Sequence, residues 1–203
     1  MNLQERLLLS RLLIKDTASK YDPKQTNILW SGGKDSTVLL HLIRKTLHKV
    51  PFHVVRVDTG IDFPEVYQFV ERITKEWNLT LDTIQLLSPQ EKKDIASVKD
   101  EEEVRKYIRI KRDGAVKKFI KESRITASFS GIRWYENFHN IQHFWGEYLG
   151  INMVYPILHW THNDIMEYTR LYKVPRVSLY EEGYTHLDSM WFSYAKKTTE
   201  KKI

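Results

Sequence analysis

The residues best suited to chemistry in this sequence are Ser31-Gly32-Gly33-Lys34-Asp35-Ser36. A short apolar run, Ile28 to Trp30, leads into them, and a largely apolar stretch from Thr37 to Leu47 follows. That order predicts a strand, a tight turn and the start of a helix, so free backbone amides and the positive helix end converge where a phosphate can bind. Gly32 and Gly33 let the backbone turn and approach an anion closely. Lys34 can neutralise phosphate charge, Ser31 and Ser36 can donate hydroxyl hydrogen bonds, and Asp35 can orient the loop or a phosphate-bound magnesium ion. Neither Gly-x-x-x-x-Gly-Lys-[Ser/Thr] nor Gly-x-Gly-x-x-Gly occurs, so the loop is not one of the two common phosphate fingerprints.

Two further segments stand where a ligand would gather. Val57-Asp58-Thr59-Gly60 follows a second apolar run, and Gly131-Ile132-Arg133 follows a later one. Ligands of open parallel sheets collect at the carboxyl ends of strands, so Asp58, Thr59 and Gly60 are candidate nucleotide contacts, against the alternative of a turn that caps the next helix. Arg133 can give an anion two parallel, charge-assisted hydrogen bonds; its alternative is a surface pair with Glu136. Pro156, Trp160 and Tyr180 read as packing residues, since large aromatics bury most of their surface. His159, His162 and His186 match no familiar metal-ligand spacing, and no metal-ligating set is assigned.

The elements that must position these residues follow from periodicity and turn chemistry. Residues 2–19 place Leu3, Leu7, Leu8, Leu12 and Leu13 on one helical face, for packing on the domain or for a dimer contact. Phe52–Val57 and Leu79–Leu87 read as strands, with a helix over Phe63–Trp77 whose first turn accommodates Pro64. Residues 91–124 are a dense mixture of charges, either a solvated helical face or a mobile excursion, and the basic half from Arg105 to Lys121 can approach a phosphate. Ile125–Ser130 and Asn152–Ile157 read as a fourth and a fifth strand. Thr161 and Asp164 make a capping pattern for a helix to about Tyr172, and a Lys-rich tail from Lys196 reads as frayed. Alternating strands and helices predict an α/β fold, an open, mostly parallel twisted sheet with helices on both faces, in a single domain over residues 1–203.

Composition narrows the chemistry. The 203 residues carry a net charge of +6, which favours anionic partners. They contain no cysteine, which removes disulfides, thiolate metal sites and thiol nucleophiles. No stretch approaches the roughly 20 apolar residues that span a bilayer, so no membrane association and a cytoplasmic location are expected.

Taken together, Ser31–Ser36, Asp58-Thr59-Gly60, Gly131-Ile132-Arg133 and the C-terminal Leu179-Tyr180-x-x-Gly183-Tyr184 resemble, in order, the motifs of the PP-loop ATP pyrophosphatase superfamily. The similarity is to the branch that includes phosphoadenylyl sulfate (PAPS) reductases and the small subunit of ATP sulfurylase, and it covers roughly residues 25–190. The resemblance implies an adenine nucleotide ligand (ATP, adenylyl sulfate or PAPS) with magnesium, a phosphate site at Ser31–Ser36 with Asp58, Thr59, Gly60 and Gly131, and catalytic roles for Lys34, Asp35 and Arg133. The reductases of this family attack sulfur with a C-terminal cysteine thiolate; here Gly183 to Trp191 offers none, which excludes that reaction. The activities left are transfer of AMP from ATP to sulfate, as in the sulfurylase small subunit with its GTPase partner, or to FMN, as in the related FAD synthases. The basic stretch around Lys117 and Arg133 are the candidates to hold such an acceptor. A nucleotide-binding subunit or sensor without turnover is the rival class. Nucleic-acid modification, known for other PP-loop proteins, lacks an RNA-binding appendage here.

Overall fold

The computed structural model describes residues 1–98, 100–136, 141–185 and 187. Six strands form one sheet: β1 (Thr26–Leu29), β2 (His53–Asp58), β3 (Leu81–Gln85), β4 (Ala127–Phe129), β5 (Trp145–Tyr148) and β6 (Ile151–Val154). Their spatial order is β3-β2-β1-β4-β6-β5. All pairings are parallel except that of β5 with β6. Six helices accompany them: α1 (Leu3–Lys20), α2 (Lys34–Leu47), α3 (Pro64–Glu76), α4 (Pro89–Ser97), α5 (Glu101–Ser123) and α6 (His162–Tyr172).

The order explains where a ligand can sit. From β1 the chain steps outward through α2 to β2 and through α3 to β3. It then returns over α4 and α5 to place β4 on the other side of β1. The reversal falls between β1 and β4, and in such sheets the crevice at that point is the ligand position.

Alternation along the strands separates the two faces. Ile28, Val54, Phe129 and Val154 join the main core with buried residues of α1, α2, α3 and α6. Their neighbours Asn27, Leu29, Val55, Ser128 and Met153 face α5 instead, across a chamber. The core on that side is divided into two small clusters, one around Leu87 and Ile95 and one around Met153 and Leu158.

One sequence expectation needs correction, one pair of alternatives is decided, and one strand was not foreseen. In α1 the buried stripe is Leu3, Leu7, Ser10, Ile14 and Thr17, while Leu8 and Leu12 are 60% and 56% exposed. The cause is polar: Ser10 Oγ donates to the Pro156 carbonyl at 2.6 Å and accepts from Trp160 Nε1 at 3.0 Å, and Arg6 pairs with Asp164 at 2.7 Å, which turns that edge of the helix inward. Residues 91–124 are no excursion; α4 and α5 are regular helices capped by the side chains of Ser88 and Asp100. An unforeseen antiparallel edge strand, β5, joins the sheet through a two-residue turn at Leu149 and Gly150, both with positive φ. The tail from Lys196, His139 and His186 lie outside the described residues, as does the Glu136 side chain. Among the described residues, no helix is long and apolar enough to cross a membrane.

Candidate functional site

The loop between β1 and α2 is built by constraints from three directions. Gly32 has φ +85°, and a Cβ there would meet the Val70 and Val66 side chains of α3 at 3.0 and 3.2 Å. Its glycine is therefore demanded both by backbone conformation and by packing. Trp30, fully buried, fixes the loop's entry by donating its indole N–H to Thr37 Oγ1 at 2.9 Å. Within the loop, Ser36 Oγ donates to the Gly33 carbonyl at 3.1 Å and lies 3.1 Å from Ser31 Oγ, which accepts from the Gly33 amide at 3.2 Å.

Gly33 is the N-cap of α2 and makes no side-chain capping bond. The first-turn amides of a helix have no internal partner, and Gly33, Lys34, Asp35 and Ser36 all line the cleft beyond the loop. The Lys34 amide is engaged: it donates to the Tyr180 hydroxyl at 3.0 Å. Lys34 itself is 7% exposed, its Nζ donating to the Thr185 carbonyl at 3.0 Å and standing 3.0 Å from Asp35 Oδ2.

Gly131 completes the wall. A Cβ on it would lie 3.0 Å from Ser36 Cα and 3.1 Å from Ser36 N, so only glycine lets the segment after β4 rest on the first turn of α2. Two residues on, Arg133 is 2% exposed, and its Nε stands 2.8 Å from Asp35 Oδ1. The N–H is not aligned for a hydrogen bond at that oxygen, and the contact is one of charge. Asp35 thus lies between two cations, Lys34 on one oxygen and Arg133 on the other.

These residues border a cleft of about 700 Å³ at the switch point, lined by Ser31, Gly33, Lys34, Asp35, Ser36 and Gly131 on its polar side. Leu29, Trp30, Val55, Val57 and Ile132 supply the apolar side, with Tyr135 and Tyr180 also in the wall. Arg133 stands behind Asp35 rather than in the lining. Asp58, Thr59 and Gly60 are not among the lining residues either. Asp58 Oδ1 accepts from the Gly60 amide and the Tyr67 hydroxyl, each at 2.8 Å, and Thr59 donates to Asp62 at 3.0 Å. Burial raises the Asp62 carboxyl above its usual range although Arg56 is bonded to it, and burial with the Asp58 hydrogen bond pushes Tyr67 up to about 12. The segment after β2 is therefore a self-bonded turn with Gly60 at φ +77°.

Sequence reasoning missed two residues here. Tyr180, read as packing, reaches the loop through its hydroxyl. Arg112 of α5 is the member of the basic stretch that lines the cleft, whereas Lys117 is exposed and does not. The run Arg105–Lys121 signalled a basic helix but not which of its faces turns inward. His159 packs edge-on against Phe144, with centroids 4.8 Å apart, and next to Trp134. Among the described residues no three His, Asp or Glu side chains cluster as a metal site. Among the described residues, Asp35 is the one carboxylate in the cleft lining. That fits a magnesium ion delivered on phosphates, which takes only one or two protein carboxylates, and Asp35 is the residue that would hold it.

Comparison with known proteins gives the family and the fold. Residues 25–190 match the sequence profile of the phosphoadenosine phosphosulfate reductase domain. A phosphoadenosine 5'-phosphosulfate reductase of Photobacterium profundum is 29% identical over 177 residues, 79% of this chain and 67% of that protein. Sulfate adenylyltransferase subunit 2 of Pseudomonas fluorescens is 30% identical over 196 residues, 83% of this chain and 63% of that protein. This chain therefore spans about two thirds of the length of these relatives. Among solved structures, the Candida auris PAPS reductase in its phosphate complex superposes with a TM-score of 0.75 at 18% identity, over 91% of this chain and 89% of that one. The Candida glabrata FMN adenylyltransferase with FAD and pyrophosphate gives 0.73 at 20% identity, over 92% and 62%. At such identities the likeness is one of fold.

Proposed function

Because the chain belongs to the phosphoadenosine phosphosulfate reductase domain family, we propose that residues 1–203 act as one adenine-nucleotide-binding unit that transfers the adenylyl group of ATP to a small anionic acceptor. The observation that carries this reading is the first turn of α2, whose N-cap Gly33 offers no side-chain cap, with Lys34 buried beside it, opening on a cleft at the reversal of strand order. An acceptor oxygen attacks the α-phosphorus, the bond from that phosphorus to the bridging oxygen breaks, and pyrophosphate leaves. Such a reaction needs in-line positioning and stabilisation of charge on the departing oxygens. The loop amides and Lys34 suit the second task. Magnesium, when bound with the nucleotide, adds charge neutralisation there.

Asp35 and Arg133 are assigned a supporting role as well as a catalytic one. As the ion pair stands, Asp35 holds both cations; an entering polyphosphate competes for them, freeing Lys34 and Arg133 to face the anion. Asp58, Thr59 and Gly60, at the end of β2 and outside the cleft lining, are retained as nucleotide contacts on the strength of the family resemblance alone. A thiol-dependent reduction is set aside because the 203 residues carry no cysteine.

Sulfate is supported as acceptor by the 30% identity to sulfate adenylyltransferase subunit 2, and a relative named as a subunit supports including a partner subunit in the assay. FMN is supported by one structural feature, the apolar chamber that opens from the cleft. Calorimetric titration with ATP, adenylyl sulfate and PAPS in magnesium, followed by pyrophosphate release with sulfate or FMN, tests the proposal. Acceptor-dependent release supports transfer and names the acceptor. Nucleotide binding without release, with and without the partner, replaces it with a sensor or subunit; no nucleotide binding overturns it.

A further inference from the structure

Helix α1 carries more leucine than its packing absorbs. Leu3, Leu7 and Ile14 enter the main core. Leu8 and Leu12 stand 60% and 56% exposed, and Leu9 and Leu13 beside them are only half-buried. Scattered exposed leucines are ordinary, whereas a contiguous apolar patch with a polar rim marks an interaction surface. Leu8 and Leu12 form such a patch, with exposed Glu5 before them and exposed Lys15 after them. At about 100° per residue, positions 5, 8, 12 and 15 fall on one stripe, on the side of the helix away from Leu3, Leu7, Ser10 and Ile14. Their alternating steps of three and four are the heptad spacing on which helices pair.

The order along the stripe, acid, leucine, leucine, base, is its own complement when reversed. In a two-fold pair residue i meets residue j and j meets i. Laid antiparallel, Leu8 of one copy faces Leu12 of the other, and Glu5 faces Lys15, each contact occurring twice. Laid parallel, each charge would face its own kind, which repels. The acid is also held in place, because Glu5 Oε2 accepts from the Asn2 amide at 2.9 Å in the capping box of α1. None of the four residues lines the cleft or the chamber, so the pairing leaves both uncovered.

We infer that α1 is a self-association surface, on which a second copy of the chain docks antiparallel about a two-fold axis through the middle of the helix. Its 18 residues give α1 a length of about 27 Å. A single helix pair of that length falls at the small end of interface sizes, below about 1,200 Å², where weak association is the rule. The expected dissociation constant is accordingly micromolar rather than nanomolar.

Sedimentation velocity of the full chain from about 1 to about 200 μM tests this, with a reversible equilibrium of monomer and dimer expected in that range. Leu8→Glu places a charge at the centre of the stripe and should raise the dissociation constant about tenfold or more. Its circular dichroism should be unchanged, since the side chain is exposed in the monomer; Leu12→Glu serves if the first variant does not fold. Lys15→Glu and Glu5→Lys should each weaken self-association, and an equimolar mixture of the two should restore it, because in the mixed pair both facing positions again carry opposite charges. A monomer at every concentration overturns the inference. So does a dimer that the leucine substitutions leave intact, because its interface lies elsewhere. Weakening by each charge reversal without recovery in the mixture overturns the antiparallel pairing.

Discussion

Lys34 and Gly131 contribute to the same site by opposite means, one through a buried charge and the other through the absence of a side chain. Lys34→Ala removes the only lysine that lines the cleft among the described residues, at a position where charge-assisted hydrogen bonds are worth about 1.5–3 kcal/mol. Nucleotide affinity should fall by about 10- to 100-fold in calorimetry, with an unchanged circular dichroism spectrum. Unchanged affinity in the folded variant would show that phosphate does not sit on this loop. Gly131→Ala acts on backbone: its Cβ meets Ser36 Cα and N, which cannot rotate away as a side chain would. Overpacking of this kind costs about 1–3 kcal/mol, and here it also separates the two walls, so the loss of stability should be accompanied by weaker nucleotide binding. A variant that loses stability but binds normally would sink the account of Gly131 as a spacer. The loop was legible because glycine, lysine and serine at a strand-to-helix junction have few other uses. Tyr180 was not, since its hydroxyl meets the Lys34 amide across a separation of 146 residues that no local pattern encodes.

Helix ends carry much of the positioning that strands cannot. α6 begins with a capping box in which Thr161 Oγ1 accepts from the Asp164 amide at 3.1 Å and the Asp164 carboxylate accepts from the Thr161 amide at 2.7 Å. The same carboxylate takes Arg6 of α1, so one residue both caps a helix and ties two helices together. Thr161→Ala should therefore cost about 1 kcal/mol in urea unfolding, the usual worth of an N-cap. Asp164→Ala should cost distinctly more, about 2–3 kcal/mol, because it also leaves the largely buried Arg6 without its carboxylate. Equal losses would mean that the α1–α6 pair contributes nothing. This cap was readable from Thr-x-x-Asp alone. The inward edge of α1 was not, because Ser10 is buried for its hydrogen bonds to Pro156 and Trp160 while two leucines stay outside, and hydrophobic periodicity gives a polar anchor no weight. β5 escaped for a related reason: its hairpin turn uses Leu149 at φ 51°, where Asn or Gly is the usual signal.

At the scale of the whole molecule, the sheet is asymmetric in how its faces are filled. One face carries the continuous core; the other carries the cleft and the chamber, so stability is concentrated away from the site. The parallel α/β architecture was legible from alternating apolar runs, but the reversal between β1 and β4 was not, because strand order depends on where long crossovers return. The filled face has a consequence for acid stability. His41 of α2 is 5% exposed, with its Nδ1 3.0 Å from the Tyr168 hydroxyl and its ring near Trp77 and Tyr172. Burial, assisted by the charges of Lys45 and Arg44, lowers its pKa to about 4. In the unfolded chain the imidazole titrates at about 6.5, so as pH falls below that value the unfolded state binds a proton that the folded state refuses. The stabilisation is fully present above about pH 6.5 and is lost progressively down to about pH 4, for a total of about 3 kcal/mol. His41→Phe keeps an apolar ring in the core and cannot titrate. Urea unfolding of both proteins at pH 7 and pH 4.5 should show the wild type losing about 2–3 kcal/mol more than the variant, the carboxylates common to both cancelling in the difference. Equal losses would mean that His41 is protonated in the folded protein, and that the core around Tyr168 admits a charge its burial forbids.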